Sequence, residues 1–383
     1  MNERMRFVVR REAGESMTDL CREFGISRKT GHKIWNRYKE FGPEGLGDFS
    51  RRPGCHPNRT AEEIRDLVVA TRLKYPKWGP KKLRALLQKE HPGLPIPAAS
   101  TIGELLSKRG LAKPRRRRRR ATPTALGKLT VSNGPNDVWC ADFKGQFRMK
   151  NGKYCYPLTI TDLHSRFLLA CVALESTHIS GAYSGFHAAF REYGLPKCIR
   201  TDNGAPFAST GLHGLTRLSV WWMRLGIRPE RIEPGHPEQN GAHERMHLTM
   251  VTETTRPAGA NVLHQQENFD RFRQRFNEVR PHEALGMQRP SDVYSSSRRR
   301  MPCLLPELEY PLHDTVRRVH RSGHVCIRKG CQPYVSAALA GEYVGLRKIE
   351  PKVWRVSFLG TSLGDLYEET RRLVWADIEV LEP

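Results

Sequence analysis

Residues 138–143 read Val-Trp-Cys-Ala-Asp-Phe, a strand-like run in which Asp142 stands among apolar side chains. A carboxylate in such a run is costly unless it meets water, a metal ion or a polar partner. Two further carboxylates have comparable positions: Asp202 ends the short apolar strand expected at 198–201, and Glu244 lies one turn into an expected helix. Because α/β sheets place ligands at the carboxyl ends of their strands, the pattern predicts one anionic cluster of three carboxylates.

Each of these carboxylates belongs to a longer motif. The motifs read Trp-x-x-Asp-Phe from Trp139, Thr-Asp-Asn-Gly-x-Pro-Phe from Thr201, and Pro-Gly-His-Pro-x-x-Asn-Gly-x-x-Glu-Arg from Pro234. An Asp-Asn-Gly tripeptide alone is more typical of an ordinary turn. Three such motifs in this order indicate a catalytic site instead. Mg²⁺ prefers carboxylates, waters and substrate phosphates, and two such ions can activate an attacking oxygen and stabilise a leaving one.

The region around these motifs alternates strands and helices. The apolar and β-branched runs predict strands at 138–148, 154–161, 167–174, 198–201 and 228–232. Helical spacing predicts helices at 180–193 and 241–251. This alternation predicts a layered α/β domain over residues 133–300, with Trp221 and Trp222 in its core.

Together the motifs resemble the integrase catalytic core of bacterial insertion-sequence transposases, the DDE type of the retroviral-integrase superfamily. Residues 161–166 (Thr-Asp-Leu-His-Ser-Arg) and 280–286 (Arg-Pro-His-Glu-Ala-Leu-Gly) add to a resemblance that covers about residues 130–295. It implies a ribonuclease-H-like fold. It also implies a catalytic triad of Asp142, Asp202 and Glu244, which would bind two Mg²⁺ (or Mn²⁺) ions per active site.

The resemblance further implies a reaction and its partners. The expected chemistry is hydrolytic nicking at the ends of a mobile element, followed by attack of the freed 3′-hydroxyl on target DNA. The partners would be double-stranded DNA, both terminal repeats and target, and further copies of this chain in a homo-oligomer. Zinc is not expected, because the chain lacks the His/Cys module of the retroviral relatives. The alternatives are a non-catalytic DNA-binding regulator and a nuclease of the same fold.

Two glutamates compete for the third position of the triad. Between Asp202 and Glu238 lie 35 residues, which is close to the separation in many family members. Between Asp202 and Glu244 lie 41 residues. However, Glu238 follows Pro237 in a Pro/Gly-rich loop that cannot hold a carboxylate rigidly. A metal ligand needs a fixed geometry, which favours Glu244 in the first regular helical turn.

The N-terminal residues 1–58 have the pattern of a DNA-binding helix-turn-helix. Residues 16–24 and 28–38 have helical spacing around a Gly-Ile-Ser turn, and Ser27 is a good N-cap. A generic helical hairpin with a solvated basic face is the alternative. The second helix carries the basic side chains expected to contact DNA, namely Arg28, Lys29, His32, Lys33 and Arg37.

A second helical, helix-turn-helix-like domain is predicted over residues 59–112. Its helices are expected at 61–75, 80–90 and 100–111, with Thr60 and Ser100 as caps, and packing or dimerisation is an equal alternative to DNA binding. A basic linker follows over residues 113–132. It serves either as a solvated tether or as a clamp on the DNA backbone. Its six consecutive arginines are Arg115, Arg116, Arg117, Arg118, Arg119 and Arg120.

The net charge of the chain is +24, from 64 basic and 40 acidic side chains, which favours a polyanionic partner such as nucleic acid. The longest apolar run, 167–174, is far too short to cross a bilayer, so no membrane partner is expected. Nine cysteines without zinc spacing indicate free thiols, including the nearest pair, Cys326 and Cys331. We therefore expect a cytoplasmic, nucleoid-associated bacterial protein.

The C-terminal residues 312–383 are expected to form a small β-barrel or sandwich. The predicted strands are 316–319, 324–327, 341–347, 354–358 and 364–367. Elsewhere, Asp162 is expected to cap a turn through Ser165 and Arg166, with a metal role as the alternative. His236 and Asn240 are expected to touch DNA or to shape the loop before Glu244.

Overall fold

The computed structural model describes residues 3–48, 59–112 and 129–375 of the chain. The fold separates into two units, residues 1–62 and residues 63–383. The six arginines at 115–120, and most of the predicted linker at 113–132, lie outside the described residues.

The first unit is a bundle of three helices. The predicted helix-turn-helix is confirmed: Ser16 caps the second helix by accepting a hydrogen bond from the Thr18 amide, and Ser27 caps the third by accepting from Thr30. The first helix was not predicted, and it contributes Phe7 and Val8 to the small core. The three helices are α1 (Glu3–Glu12), α2 (Met17–Glu23) and α3 (Arg28–Phe41).

The second unit begins with three helices around an apolar core that includes Trp78 and Leu83. The helix predicted at 80–90 is confirmed. The prediction that Ser100 caps the next helix is wrong, because that helix begins at Ala99 and its N-cap residue, Ala98, has no side chain that could accept a hydrogen bond. These helices are α4 (Glu62–Lys74), α5 (Pro80–Glu90) and α6 (Ala99–Lys108).

A mixed sheet forms the centre of the second unit. The run predicted as one strand at 138–148 is two strands separated by a break after Phe143. The strands are β1 (Val138–Phe143), β2 (Phe147–Arg148), β3 (Tyr154–Asp162), β4 (Leu168–Leu174), β5 (Cys198–Thr201) and β6 (Arg228–Arg231). Their order in the sheet is β4–β3–β1–β5–β6. The short strand β2 pairs antiparallel with the first two residues of β3. Strand β1 is antiparallel to β3 and parallel to β5, so the carboxyl ends of β1 and β5 meet at one edge.

Helices cover both faces of this sheet and complete the predicted α/β layers. Trp139 and Ala141 of β1 face one helical layer, where Trp221 and Trp222 are buried as expected. Because side chains alternate along a strand, Asp142 faces the opposite layer. The helices are α7 (Ile179–Tyr193) and α8 (Arg217–Arg224) on the first face, α9 (Gly241–Thr254) and α10 (Val262–Glu278) on the second, and the short α11 (Pro290–Val293).

The C-terminal part is an open antiparallel sheet rather than the predicted small β-barrel. Each strand pairs with its neighbour in sequence, and within the described residues the two edge strands do not pair with each other. The apolar face is instead buried against Leu212 and Val220 of the central part, so closure is not needed to cover it. Residues 324–327, predicted as a strand, make only isolated bridges. The strands are β7 (Thr315–Arg318), β8 (Tyr343–Glu350), β9 (Val353–Phe358), β10 (Thr361–Tyr367) and β11 (Arg372–Val374).

Across the part of the chain that the structure describes, no helix has the length and apolar character needed to span a bilayer.

Candidate active site

The register of two parallel strands brings two of the predicted acids together. Ala141 of β1 lies opposite Thr201 of β5, and the next residues along the two strands are Asp142 and Asp202. Neighbouring strands run ~4.8 Å apart, so these two backbone positions are direct neighbours at the carboxyl edge of the sheet.

The side chain of Asp142 shows the effect of this arrangement. It is 20% exposed. Burial, followed by the negative charge of Asp202 and then that of Glu244, raises the pKa of Asp142 to about 7, against the opposing effect of Lys144. Asp202 and Glu244 therefore both act electrostatically on Asp142, although they lie 60 and 102 positions after it along the chain.

The turn after β5 shapes the surroundings of Asp202. The Gly204 amide donates a hydrogen bond to Asp202 Oδ1 at 3.1 Å, and the Asn203 side chain donates to the Ile232 carbonyl. A Cβ atom on Gly204 would lie 3.0 Å from Asp202 Oδ2, so a larger residue would require the carboxylate to shift by a small amount. The Asp-Asn-Gly motif is thus both an ordinary turn and a support for the acid.

The two candidate glutamates occupy different elements. Glu244 is exposed in the first turn of α9, the helix that packs on the Asp142 face of the sheet. Glu238 is exposed in the short 3₁₀ segment before it, and its carboxylate lies 2.8 Å from His236 Nδ1. The helical position holds the Glu244 backbone in regular geometry, which is the property that the motif context favours.

Two buried histidines tie α9 to the sheet beneath the acids. Thr159 Oγ1 of β3 lies 2.8 Å from His243 Nε2 and 2.6 Å from His247 Nε2, and Thr161 Oγ1 lies 2.7 Å from His243 Nδ1. Burial lowers the pKa of His243 to about 3 and that of His247 to about 2, so both rings are neutral. Neutral rings protonated on Nε2 satisfy these contacts, since Thr159 can accept twice and Thr161 can donate.

His247 also lies close to the candidate acid, since its Nδ1 is 3.6 Å from Asp142 Oδ2, a separation too long for a hydrogen bond. Neither histidine was predicted from the sequence as a site residue. The signal in the sequence was that His243 and His247 are four positions apart, which places them on one face of a helix. Glu244 lies between them in sequence.

The donor set fits a hard divalent cation. Within residues 3–48, 59–112 and 129–375, no three His, Cys, Asp or Glu side chains are yet arranged closely enough to hold a metal ion. The acids nevertheless supply carboxylate oxygens, the ligands that Mg²⁺ prefers, and a cation would relieve the repulsion that raises the pKa of Asp142.

Asp162 has a structural environment. Its Oδ2 accepts hydrogen bonds from the Ser165 amide and hydroxyl at 2.7 and 2.6 Å, and its Oδ1 accepts from the Asn136 amide at 2.8 Å. Oδ2 is thus occupied by the turn, as the turn-capping prediction for Ser165 expected, and Oδ1 is occupied by the Asn136 amide.

The residues predicted to contact DNA differ in accessibility. Arg28, Lys29, His32 and Lys33 are exposed on α3, and Arg37 is half-buried. In the loop before α9, Asn240 is buried at 4% exposure, and its Oδ1 finds no hydrogen-bond partner in the described part of the chain. The six arginines at 115–120 fall outside the described residues.

Comparison with protein-family models identifies the central part of the chain. Two models described as "Integrase core domain" match residues 132–237 and 225–290, which together contain all three predicted acids. The chain belongs to the insertion-sequence transposases with an integrase core. Models described as "Helix-turn-helix domain" and "Homeodomain-like domain" match residues 3–54 and 30–106 of this transposase. It therefore carries DNA-binding domains before its integrase core.

Relatives from bacterial insertion elements match most of the transposase. The IS407 uncharacterized 31.7 kDa protein of Burkholderia multivorans is 27% identical over 296 residues, which are 76% of this chain and 94% of the relative. The IS476 uncharacterized 39.2 kDa protein of Xanthomonas euvesicatoria is 26% identical over 74% of this chain and 80% of the relative. The Gag-Pol polyprotein of baboon endogenous virus is 30% identical over 46% of this chain and 10% of its own length.

Solved structures of viral integrases are also similar. The HTLV-2 integrase catalytic core domain in complex with magnesium is 14% identical and covers 43% of this chain and 99% of its own, with a TM-score of 0.32. The simian T-cell lymphotropic virus intasome in complex with a PP2A regulatory subunit is 14% identical to this chain. The match covers 76% of this chain and 91% of the intasome chain, with a TM-score of 0.38.

Proposed function

We propose that this transposase cuts the ends of a mobile element and joins them to target DNA, with Asp142, Asp202 and Glu244 as its catalytic carboxylates. The observation that carries the proposal is the parallel register of β1 and β5, which makes Asp142 and Asp202 neighbours at the edge of the sheet. The raised pKa of Asp142, caused by burial and then by the charges of Asp202 and Glu244, supports a shared site.

The reaction comprises two phosphodiester exchanges. In the first, water attacks a phosphodiester at the element end, the P–O3′ bond breaks, and the 3′ oxygen leaves as a hydroxyl. In the second, that hydroxyl attacks a target phosphodiester, a new P–O bond forms, and the target strand is released with its own 3′-hydroxyl. When bound, two Mg²⁺ or Mn²⁺ ions supply activation of the attacking oxygen and charge neutralisation at the leaving one.

The protein's own contribution is positioning. Asp142 lies on β1, Asp202 directly follows β5, and Glu244 lies on α9. The buried His243 and His247 fix α9 against β3. Rigid elements of this kind hold ligating groups more accurately than loops do.

The remaining domains would bind and position the DNA. Residues 1–58 and 59–112 would bind the terminal repeats, residues 113–132 would link them to the core at 133–300, and residues 312–383 would form the C-terminal domain. Because two ends must be joined together, we propose a homo-oligomer on DNA.

A strand-transfer assay on a labelled element end, in Mg²⁺, tests the proposal. Asp142→Asn, Asp202→Asn and Glu244→Gln should each abolish cutting and joining while DNA binding stays near the wild-type level, since each removes one ligand charge and little volume. Glu238→Gln is the matched control, six residues from Glu244, and should retain most of the activity.

The outcomes separate the alternatives. Cutting without joining by the wild type would identify a nuclease, and no reaction at all would identify a DNA-binding regulator. An active Glu244→Gln beside an inactive Glu238→Gln would move the third carboxylate to Glu238.

A further inference from the structure

Two motifs without a part in the proposed chemistry, residues 161–166 and 280–286, come together in the fold. Phe167, directly after the first motif, stacks on Tyr294 with ring centroids 4.3 Å apart. Asn277, near the end of α10, exchanges hydrogen bonds of 2.8 and 3.0 Å with the backbone of Leu168. The loop that carries Arg166 therefore lies beside the segment that follows α10.

Helix α5 of the second helical domain docks on the same segment. The Arg280 guanidinium lies 5.8 Å from the ring centre of Trp78, just before α5. Further along the helix, Lys81 Nζ lies 3.8 Å from Glu283, and Lys89 Nζ lies 3.2 Å from Asp292. These contacts place the half-buried Lys82 against the second motif.

Positive groups from four parts of the chain are thereby concentrated in one place. Burial and then the charge of Arg280 lower the pKa of Lys82 to about 8, and Arg245 acts in the same direction. Burial and then the charges of Lys82, Arg280 and Arg166 lower the pKa of His282 to about 3. We name Lys82, Arg166, Arg245, Arg280 and His282 the basic cluster.

Nearby carboxylates only partly balance the basic cluster. Glu253 is shared, because it accepts hydrogen bonds of 2.8 Å from both Arg275 and Arg280. Glu283 is exposed and lies nearest to Lys81. The carboxylate of Asp162 is already occupied by the Asn136 and Ser165 hydrogen bonds. The basic cluster therefore keeps an excess of positive charge.

Two nitrogens of the basic cluster are also unsatisfied. Arg166 Nη1 and His282 Nε2 are buried, and neither has a hydrogen-bond partner among the described residues. Buried polar groups in native proteins are nearly always hydrogen-bonded, so each such exception calls for an explanation. For Arg166 Nη1, which can only donate, an anion would supply the missing acceptor. The anion would also supply the negative charge that the basic cluster lacks.

We infer that the basic cluster binds a phosphate of the DNA backbone. This identification of the anion rests on the proposed function. Arg245 directly follows Glu244 on α9, so the bound phosphate would belong to a strand that passes the candidate active site. The second helical domain would then complete a DNA site of the integrase core through Lys82 of α5.

The test measures how salt affects DNA binding by the full-length chain. A fluorescent duplex of random sequence is titrated in EDTA, where no reaction occurs, with wild type, Lys82→Gln and Arg245→Gln. Each variant should reduce the slope of log K against log salt by about one, because one phosphate contact is lost. Between about 50 and 200 mM salt, wild-type affinity should fall about threefold more than that of either variant.

Lys108→Gln is the matched control. Lys108 lies on α6 of the same helical domain, is 73% exposed and pairs with Glu104, so the salt slope should not change. Lys82→Arg should restore the wild-type slope. Arg245 is exposed, so its variant folds even if Lys82→Gln does not.

Melting of the free protein separates binding from a structural role. If Lys82 mainly repels its neighbours until DNA binds, Lys82→Gln melts at the same or a higher temperature than wild type. Unchanged salt slopes in both variants would overturn the inference, as would an equal loss in Lys108→Gln. Because no measurement depends on cutting, an inactive wild type would overturn the proposed function and leave this test intact.

Discussion

At the residue scale, Asp142 is unfavourable to ionise in the metal-free protein. Burial and the charges of Asp202 and Glu244 raise its pKa from 3.8 to about 7. Between these two values the folded state binds a proton that the unfolded state has released. The free energy of unfolding should therefore fall as the pH rises through this window.

Asp142→Asn removes this pH-dependent penalty. Without metal and at pH 8, the free energy of unfolding of the variant should exceed that of wild type by at most about 4 kcal/mol. This difference should vanish as the pH approaches 4. Urea unfolding at several pH values measures it. Asp137→Asn is a control of opposite sign, because Lys197 lowers the pKa of Asp137. An advantage of Asp142→Asn that did not vary with pH would contradict the assigned cause.

At the scale of elements, a single glycine sets the packing of the predicted recognition helix. Gly31 is the buried residue of α3, and a Cβ atom there would lie 2.4 Å from Cys21 Sγ and 3.1 Å from Phe7 Cζ. Helix α3 can therefore approach α2 closely only because this side chain is missing, and the basic residues of α3 then face solvent.

Gly31→Ala should destabilise the first unit by about 1–3 kcal/mol through overpacking. Gly103→Ala in α6 is the matched control, because the nearest atom to its Cβ would be Pro80 Cγ at 3.4 Å. That variant should gain about 0.5–1 kcal/mol from helix propensity. Chemical unfolding of both variants checks the pair, and stabilisation by both would show that α3 has room to adjust.

At the scale of the whole molecule, positive charge is concentrated before the integrase core. Residues 1–120 contain 30 Lys and Arg against 13 Asp and Glu. This third of the chain thus carries most of the net charge of +24. Such a distribution favours DNA binding that is strong at low salt and steeply weakened by added salt.

Replacing Arg115–Arg120 with serine should weaken binding to element ends and to random duplexes alike, because phosphate contacts carry no direct sequence information. If all six arginines contact phosphates, the salt slope should fall by about five. Titrations at several salt concentrations measure both effects. The double variant with Arg28→Ala and Lys33→Ala is the comparison. It should reduce the preference for element ends over random duplexes. An unchanged slope would leave the arginine run as a tether only.

Local patterns were sufficient for most elements. The strand at Cys198–Thr201 and the helix at Pro80–Glu90 were predicted with their observed bounds, because turn residues and helix periodicity act over a few residues. The same local reasoning placed a cap at Ser100 and missed α1. The first error arose because no capping side chain marks the start of α6, whose N-cap residue is Ala98.

The sequence alone was enough to propose the three acids from their motif context and to predict the helix-turn-helix, since each is recognised within one short stretch. Contacts between distant stretches required the folded chain. The register of β1 against β5 places Asp142 beside Asp202, and the docking of α5 brings Lys82 to Arg280. The open C-terminal sheet and the buried His243 and His247 likewise depend on which surface each element meets. Such encounters follow from the packing of complementary faces across the whole fold, which no local pattern encodes.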